Sequence, residues 1–142
     1  MKAFWLAVLT AFIWGFAPFI EKIGLSSKGV DPLVGVVFRA TGGFLAVMVL
    51  LAFLLKFHPQ GFRSIDFRAM SFLIIGGLLG SVIGQVFFYQ ALKAGEVSMV
   101  APIVGTFPLV AFILGVIFLG ETITVTKIAG VLLIIGGVVL LK

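Results

Sequence analysis

The sequence has no cysteine, a single histidine and few charged residues. Without cysteine, neither a disulfide nor a thiolate metal site can form. One histidine, His58, is too few for a zinc or iron site built from protein ligands alone. Charged residues make up 11% of the 142 residues and hydrophobic residues 62%. A soluble domain is about half apolar and about a quarter charged, so the excess apolar surface of this chain must face lipid.

The sequence motifs of common enzymes and nucleotide sites are also missing. There is no P-loop, no Gly-x-Ser-x-Gly elbow and no His-Glu-x-x-His zinc motif. The acidic residues lie in loops or near the ends of apolar runs, and none is paired at a spacing that suggests acid–base chemistry. We therefore expect no enzyme, no metal and no cofactor. The formal charge of +5 does not indicate a nucleic-acid partner, because the basic residues stand singly beside apolar runs.

Long apolar runs predict an all-α integral membrane protein, a bundle of five transmembrane helices with short loops that forms one domain over residues 1–142. About 20 helical residues cross a typical hydrocarbon core, and a membrane β-barrel needs an alternation of apolar and polar residues that these runs lack. The first run has no clear signal-peptide cleavage site, so we expect it to remain as a helix. The expected spans are residues 3–20, 32–55, 69–92, 97–119 and 123–141. The fifth is marginal because it reaches full length only if it starts near Ile123, and it carries Lys127 near one end. A lysine there can snorkel to the interface, so we still count this span.

Five spans would place the two termini on opposite sides of the lipid bilayer, which we expect to be the plasma (inner) membrane. Apart from Arg39, which lies in the membrane, the basic residues would then divide into Lys2, Lys56, Arg63, Arg68 and Lys127 on one face and Lys22, Lys28, Lys93 and Lys142 on the other. Under the positive-inside rule this is a weak bias towards a cytoplasmic N-terminus. The near balance also permits insertion in both orientations, with two copies pairing antiparallel, and both alternatives stay open.

Polar residues inside the apolar runs are candidates for a substrate cavity. Arg39 is the one charge well inside a span. It either binds an anionic substrate group, or it snorkels or pairs with a helix-end carboxylate such as Glu121. Gln85 and Tyr89 are four residues apart on one helix face, and Gln90 lies beside them. Such groups either line a polar cavity or form hydrogen bonds between helices, and we favour the cavity.

The first and fourth spans contain further candidates. Trp14 lies deep in the first span, away from the interface where tryptophan anchors membrane helices, and is either a pocket wall or a packing residue. Pro102 and Pro108 interrupt the fourth span, with Thr106 between them. Each proline removes a backbone donor and frees a carbonyl one turn back. We predict that this discontinuity serves a central site rather than only bending the helix.

Glycines at four-residue spacing mark a helix-packing face in the third span. Gly76, Gly80 and Gly84 form the stripe. Small residues at this spacing let helix backbones approach closely in lipid. We expect packing within the chain, and a contact between two copies is the alternative.

The order of these features resembles the drug/metabolite transporter superfamily, and within it a single EamA-type domain, over nearly the whole chain. The matching residues are Trp14-Gly15, Pro18, Lys22, Pro32, Arg39-Ala40, Tyr89-Gln90-Ala91-Leu92, Ala101-Pro102-Ile103, Pro108, Leu119-Gly120-Glu121, Gly130, Gly136 and Gly137. The resemblance implies a permease that moves small metabolites or drugs, often outward, by alternating access. Because the sequence has no nucleotide site, we expect this transport to be driven by an ion or solute gradient. It also implies that Glu121 has a structural role at the end of the fourth span.

The resemblance has consequences for assembly and coupling. Most relatives carry two such domains, inverted relative to each other, so we expect this chain to work as a homodimer, with an antiparallel pair as one form. Small multidrug transporters of the superfamily carry a mid-membrane glutamate in their first span, whereas Glu21 lies at the end of its predicted span. The alternative function is a non-transporting membrane subunit, such as a component of a lipid flippase.

Overall fold

The computed structural model describes residues 2–141, apart from the side chain of Arg63. This part of the chain is helical and contains no strand. Its helices are α1 (Lys2–Ser26), α2 (Pro32–Phe57), α3 (Gln60–Arg63), α4 (Phe67–Leu78), α5 (Gly84–Ala94), α6 (Val97–Val104), α7 (Phe107–Leu119) and α8 (Val125–Val139). A π-helical turn, Leu79–Ile83, joins α4 to α5. Lys142, predicted to close the fifth span, lies outside the described residues.

Four helical segments are long and apolar enough to cross a membrane: Lys2–Ser26, Pro32–Phe57, Phe67–Ala94 and Val97–Leu119. The prediction of an all-helical, multi-pass membrane protein is therefore confirmed. Five full-length spans are not confirmed, because α8 has only 15 residues. At 1.5 Å per residue it measures about 22 Å, which is shorter than a hydrocarbon core of about 30 Å. The helix begins later than predicted because the Thr124 hydroxyl accepts from the Lys127 amide and caps it.

The first span differs from its predicted bounds in a way that matters for the site. Helix α1 continues to Ser26, so Glu21 and Lys22 lie within it rather than beyond its end. The chain then turns through Gly29, whose φ of 76° is a conformation that side chains disfavour. The Asp31 carboxylate accepts from the Leu33 amide and starts α2.

The π turn alters the glycine stripe predicted for the third span. A π turn contains an extra residue compared with α-helix, so residues on its two sides are rotated by about 100° relative to the expected register. Gly80 lies within the turn, between Gly76 and Gly84. A Cβ built on Gly76 or Gly80 would meet no atom within 4 Å. Neither glycine is therefore in close contact with another helix in the described part of the chain, and the role of this stripe stays a prediction.

Residues 21–93 form one compact unit, and the N-terminal part of α1 with the residues from Ala94 onward forms another. Most apolar side chains of both units are exposed, as expected for surfaces that face lipid. The buried hydrophobic side chains among the described residues are Leu25, Val36, Tyr89, Leu92 and Val100. All but Val100 belong to the unit of residues 21–93, so the packed core of that unit lies where α1, α2 and α5 meet.

Candidate functional site

The end of α1 and the start of α2 form an antiparallel hairpin. Leu25 packs against Gly35, and one turn further into each helix Glu21 pairs with Arg39. The contact nearer the N-terminus of α1 is made with a residue nearer the C-terminus of α2, so the two helices are antiparallel neighbours. The short loop at residues 27–31 produces this arrangement.

Arg39 forms an ion pair inside the membrane-spanning region. Its Nε lies 3.0 Å from Oε1 of Glu21 and donates a hydrogen bond to it. The Arg39 side chain is 35% exposed and that of Glu21 is 15% exposed. The sequence proposed a helix-end carboxylate such as Glu121 as a partner, and the structure places Glu21 there instead. A charge inside a span normally has such a partner or faces a cavity, and Arg39 does both.

Tyr89 completes a polar cluster with this ion pair. Tyr89 is 3% exposed, and its hydroxyl interacts electrostatically with the Glu21 carboxylate. The close approach depends on Gly35, since a Cβ there would lie 2.9 Å from Cδ2 of Leu25 and 3.0 Å from Cδ2 of Tyr89. The absence of a side chain at Gly35 therefore lets α2 come close enough for Arg39 and Tyr89 to meet Glu21.

A cavity of about 530 Å³ opens beside this cluster. Its size lies within the range of about 300–1,000 Å³ that is usual for small-molecule sites. The lining residues are Glu21, Gly24, Leu25, Gly29, Val30, Asp31, Val34, Gly35, Phe38, Arg39 and Tyr89. Most of this wall is apolar, and the Asp31 carboxylate is occupied in capping α2. The cavity thus offers an apolar surface with one polar corner, where Arg39 supplies N–H donors and Glu21 supplies oxygens.

Two lysines tie α1 to α5 beneath the cavity. Lys22 of α1 donates to the Leu92 carbonyl of α5, and Lys93 of α5 donates to the Leu25 carbonyl of α1. Both carbonyls lie in the last turn of their helix, where no amide of the same helix can reach them. Glu21 is opposite Tyr89. One turn later in both helices, Leu25 is opposite Lys93, so the two helices lie side by side and run in the same direction.

The other candidate residues of the third span lie away from the cavity lining. Gln85 is half-buried, and its Oε1 is buried with no hydrogen-bond partner among the described residues. Gln90 is exposed. Of the six residues predicted for a substrate cavity, Arg39 and Tyr89 line this one. The role of the two glutamines stays a prediction.

The remaining candidates belong to the other unit. The fourth span divides at Gly105 and Thr106, between Pro102 in α6 and Pro108 in the first turn of α7. The Thr106 hydroxyl donates to the Ile103 carbonyl at 2.7 Å, so this hydroxyl serves the break itself. Trp14 lies next to Phe107, with ring centroids 6.1 Å apart, and is 60% exposed. Their roles in a substrate site stay predictions.

Glu121 lies directly after α7. Gly120, with φ of 65°, ends the helix in the left-handed region, and the Glu121 amide donates to the Gly115 carbonyl. The Glu121 carboxylate lies over Gly115, where a Cβ would be 3.2 Å from Cδ, and its Oε2 is 3.7 Å from Nζ of Lys127. This geometry is compatible with the structural role that was predicted for Glu121.

Sequence reasoning missed Glu21 as a site residue, and with it Lys22, Lys93 and Gly35. The sequence did contain one signal for Glu21. Arg39 needs a counter-charge, and Glu21 is the acidic residue at the end of the preceding apolar run. The lysine contacts leave no such signal, because they depend on α1 and α5 being neighbours.

Comparison with known proteins matches the chain to transporters. The model of the EamA-like transporter family matches residues 1–142. An uncharacterized protein of Methanocaldococcus jannaschii is 31% identical, over 96% of this chain and 93% of its own length. A WAT1-related protein of Arabidopsis thaliana is 30% identical over 99% of this chain, and an uncharacterized transporter of Clostridium kluyveri is 25% identical over 92%.

The extent of these matches differs between relatives. The chain spans nearly the full length of the archaeal relative, but only 35% of the plant protein and 40% of the clostridial one. No solved structure matches the chain.

Proposed function

We propose that this chain, which belongs to the EamA-like transporter family, is a secondary transporter that moves small metabolites or drugs across the plasma (inner) membrane by alternating access. The observation that carries the proposal is the cavity between α1, α2 and Tyr89 of α5, which has the Glu21–Arg39 ion pair in its wall. Ionisable residues within membrane spans are costly, and they mark substrate or ion pathways. Family membership favours transport over catalysis.

The chemistry of the cavity favours a substrate with an apolar body and one polar end. Val34, Phe38 and Leu25 offer apolar contacts. Because Glu21 already neutralises Arg39, the corner does not favour a purely anionic guest. A polar group can instead accept from the guanidinium while donating to the carboxylate, and the Tyr89 hydroxyl is close enough to take part.

We also propose that α8 crosses the membrane as a fifth span. Its 15 residues are apolar except for Thr126 and Lys127 in the first turn, and the following Leu140 and Leu141 add apolar length. A short span is accommodated when the bilayer thins locally and a charged residue near its end, such as Lys127, snorkels to the interface. Five crossings would place the two ends of the domain on opposite sides of the membrane.

For the assembly, we propose a homodimer, with an antiparallel pair as the form that would restore two inverted domains. Two observations support it. The archaeal relative has nearly the same length as this chain, whereas the plant and clostridial relatives are more than twice as long. Gly76 and Gly80 leave an open face on the third span where another helix can approach.

The test is a ligand screen on the purified protein. Thermal unfolding in detergent is recorded with a broad panel of amphipathic metabolites and drugs, since a ligand that binds only the folded state raises the midpoint. We expect a subset to stabilise the wild type but not Arg39→Gln or Tyr89→Phe. Arg68→Gln is the control, because Arg68 lies over Phe72, away from the cavity. Equal stabilisation of all variants would contradict the site, and purification with an unlike subunit would favour the alternative of a non-transporting membrane subunit.

A further inference from the structure

The contacts between α1 and α5 are reciprocal. Each helix contributes a lysine that satisfies a carbonyl in the last turn of the other, Lys22 to Leu92 and Lys93 to Leu25. A cation at a helix C-terminus also interacts favourably with the partial negative charge of the helix dipole. Leu25 and Leu92, whose carbonyls accept, are 2% and 0% exposed. The two helix ends are therefore held by two charged hydrogen bonds whose acceptor residues are both buried.

Helix α2 is held in a different way. It meets Leu25 and Tyr89 at Gly35, which has no side chain, and the neighbouring Val36 is the one buried hydrophobic side chain that α2 supplies among the described residues. Its one ion pair to α1 involves Arg39, whose side chain is 35% exposed. The loop that connects α2 to α1 contains Gly29 at positive φ, a position where backbone rotation meets little steric resistance. Hinges of moving elements are a few such loop residues.

We infer that Lys22 and Lys93 form a clamp that makes the ends of α1 and α5 a single rigid wall of the cavity, and that α2 is the wall that moves. The clamp lysines are positioning residues: they keep Glu21 and Tyr89 in fixed register, while α2 carries Arg39 towards or away from them. The inference rests on the proposed function in taking the cavity as the transport cavity. The motion itself can be measured without any substrate.

The absence of cysteine from the sequence makes the measurement direct. Spin labels are attached to Ile23→Cys with Phe87→Cys, which reports on α1 and α5, or to Ile23→Cys with Val37→Cys, which reports on α1 and α2. All three side chains are exposed and line no part of the cavity. The distance between the two labels is measured by pulsed electron–electron double resonance on the full chain in lipid vesicles. We expect one narrow distribution for the α1–α5 pair and a broad or two-population distribution for the α1–α2 pair.

Variants of the clamp identify its cause. Lys22→Met with Lys93→Met removes both donors and should broaden the α1–α5 distribution, whereas Lys22→Arg with Lys93→Arg keeps donors and should leave it narrow. If the methionine variant does not fold, the comparison of the α1–α5 and α1–α2 distributions in the chain with native lysines still tests which helix moves. Equal widths for the two wild-type pairs, or a narrow α1–α5 distribution in a folded methionine variant, would overturn the inference. Because no substrate is present, failure of the proposed transport would leave these distances unchanged.

Discussion

The Glu21–Arg39 ion pair should contribute measurably to stability, and its energy can be estimated from the geometry. Unit charges 3.0 Å apart attract by about 5.5 kcal/mol at an effective dielectric constant of about 20. Arg39 is 35% exposed, so solvent screening and desolvation remove much of this attraction. We expect a net coupling energy of about 1–3 kcal/mol, between the values for surface pairs and for fully buried pairs.

The assay is a double-mutant cycle in mixed micelles. Glu21→Gln, Arg39→Gln and the double variant are unfolded by increasing denaturing detergent, and the loss of helix is followed by circular dichroism. Each single variant leaves one charge without its partner, so the double variant should lose less stability than the two single losses added together. That difference is the coupling energy.

The chain supplies a matched control pair. Glu121 and Lys127 are 3.7 Å apart, and their side chains are 51% and 41% exposed. The same cycle on this pair should give a coupling of less than about 1 kcal/mol, as for other exposed ion pairs. A coupling for Glu21–Arg39 that is no larger than the control value would refute the reasoning that burial strengthens the pair.

Three further outcomes are expected. Gly35→Ala should destabilise the protein by about 1–3 kcal/mol through overpacking against Tyr89, while Gly42→Ala, in open space on the same helix, should stabilise it by about 0.5–1 kcal/mol. Gly120→Ala should lower the stability by about 1–2 kcal/mol, because Gly120 has a φ of 65°. Gly130→Ala is the comparison, because Gly130 lies in a helix with open space around it. The same unfolding in detergent measures the stability of all four variants. Reporters at the two ends should be active on opposite sides of the membrane if α8 crosses it, and a C-terminal reporter active on both sides would indicate dual insertion.

Much of the fold could be predicted from the sequence, because lipid imposes a local rule. A run of about 20 apolar residues must satisfy its own backbone and therefore becomes a helix. The helix ends were harder to predict. The uncharged run stops at Ile20, but α1 continues to Ser26, since charged residues near the interface can remain helical. The π turn at Leu79–Ile83 leaves no composition signal at all.

The candidate site could be predicted only in part, for a physical reason. Arg39 and Tyr89 stand out because polar groups in apolar runs are costly. Glu21 appeared to lie outside its span because the length of α1 was underestimated. Lys22 and Lys93 resembled ordinary flanking cations, since their partners are backbone carbonyls on a helix about 70 residues away in sequence. Such non-local contacts are fixed by helix packing, which a single sequence does not reveal.

We propose that the cavity beside Glu21, Arg39 and Tyr89 carries substrate across the membrane. The direct test uses Val34→Cys, which places a single thiol in the cavity wall of a chain without cysteine. Uptake of the compounds found in the ligand screen is measured in vesicles before and after labelling with a bulky maleimide, with Thr126→Cys as the control outside the cavity. We predict uptake that labelling of Val34→Cys abolishes and labelling of Thr126→Cys does not. Undiminished uptake after labelling Val34→Cys, or no uptake of any compound, would contradict the claim.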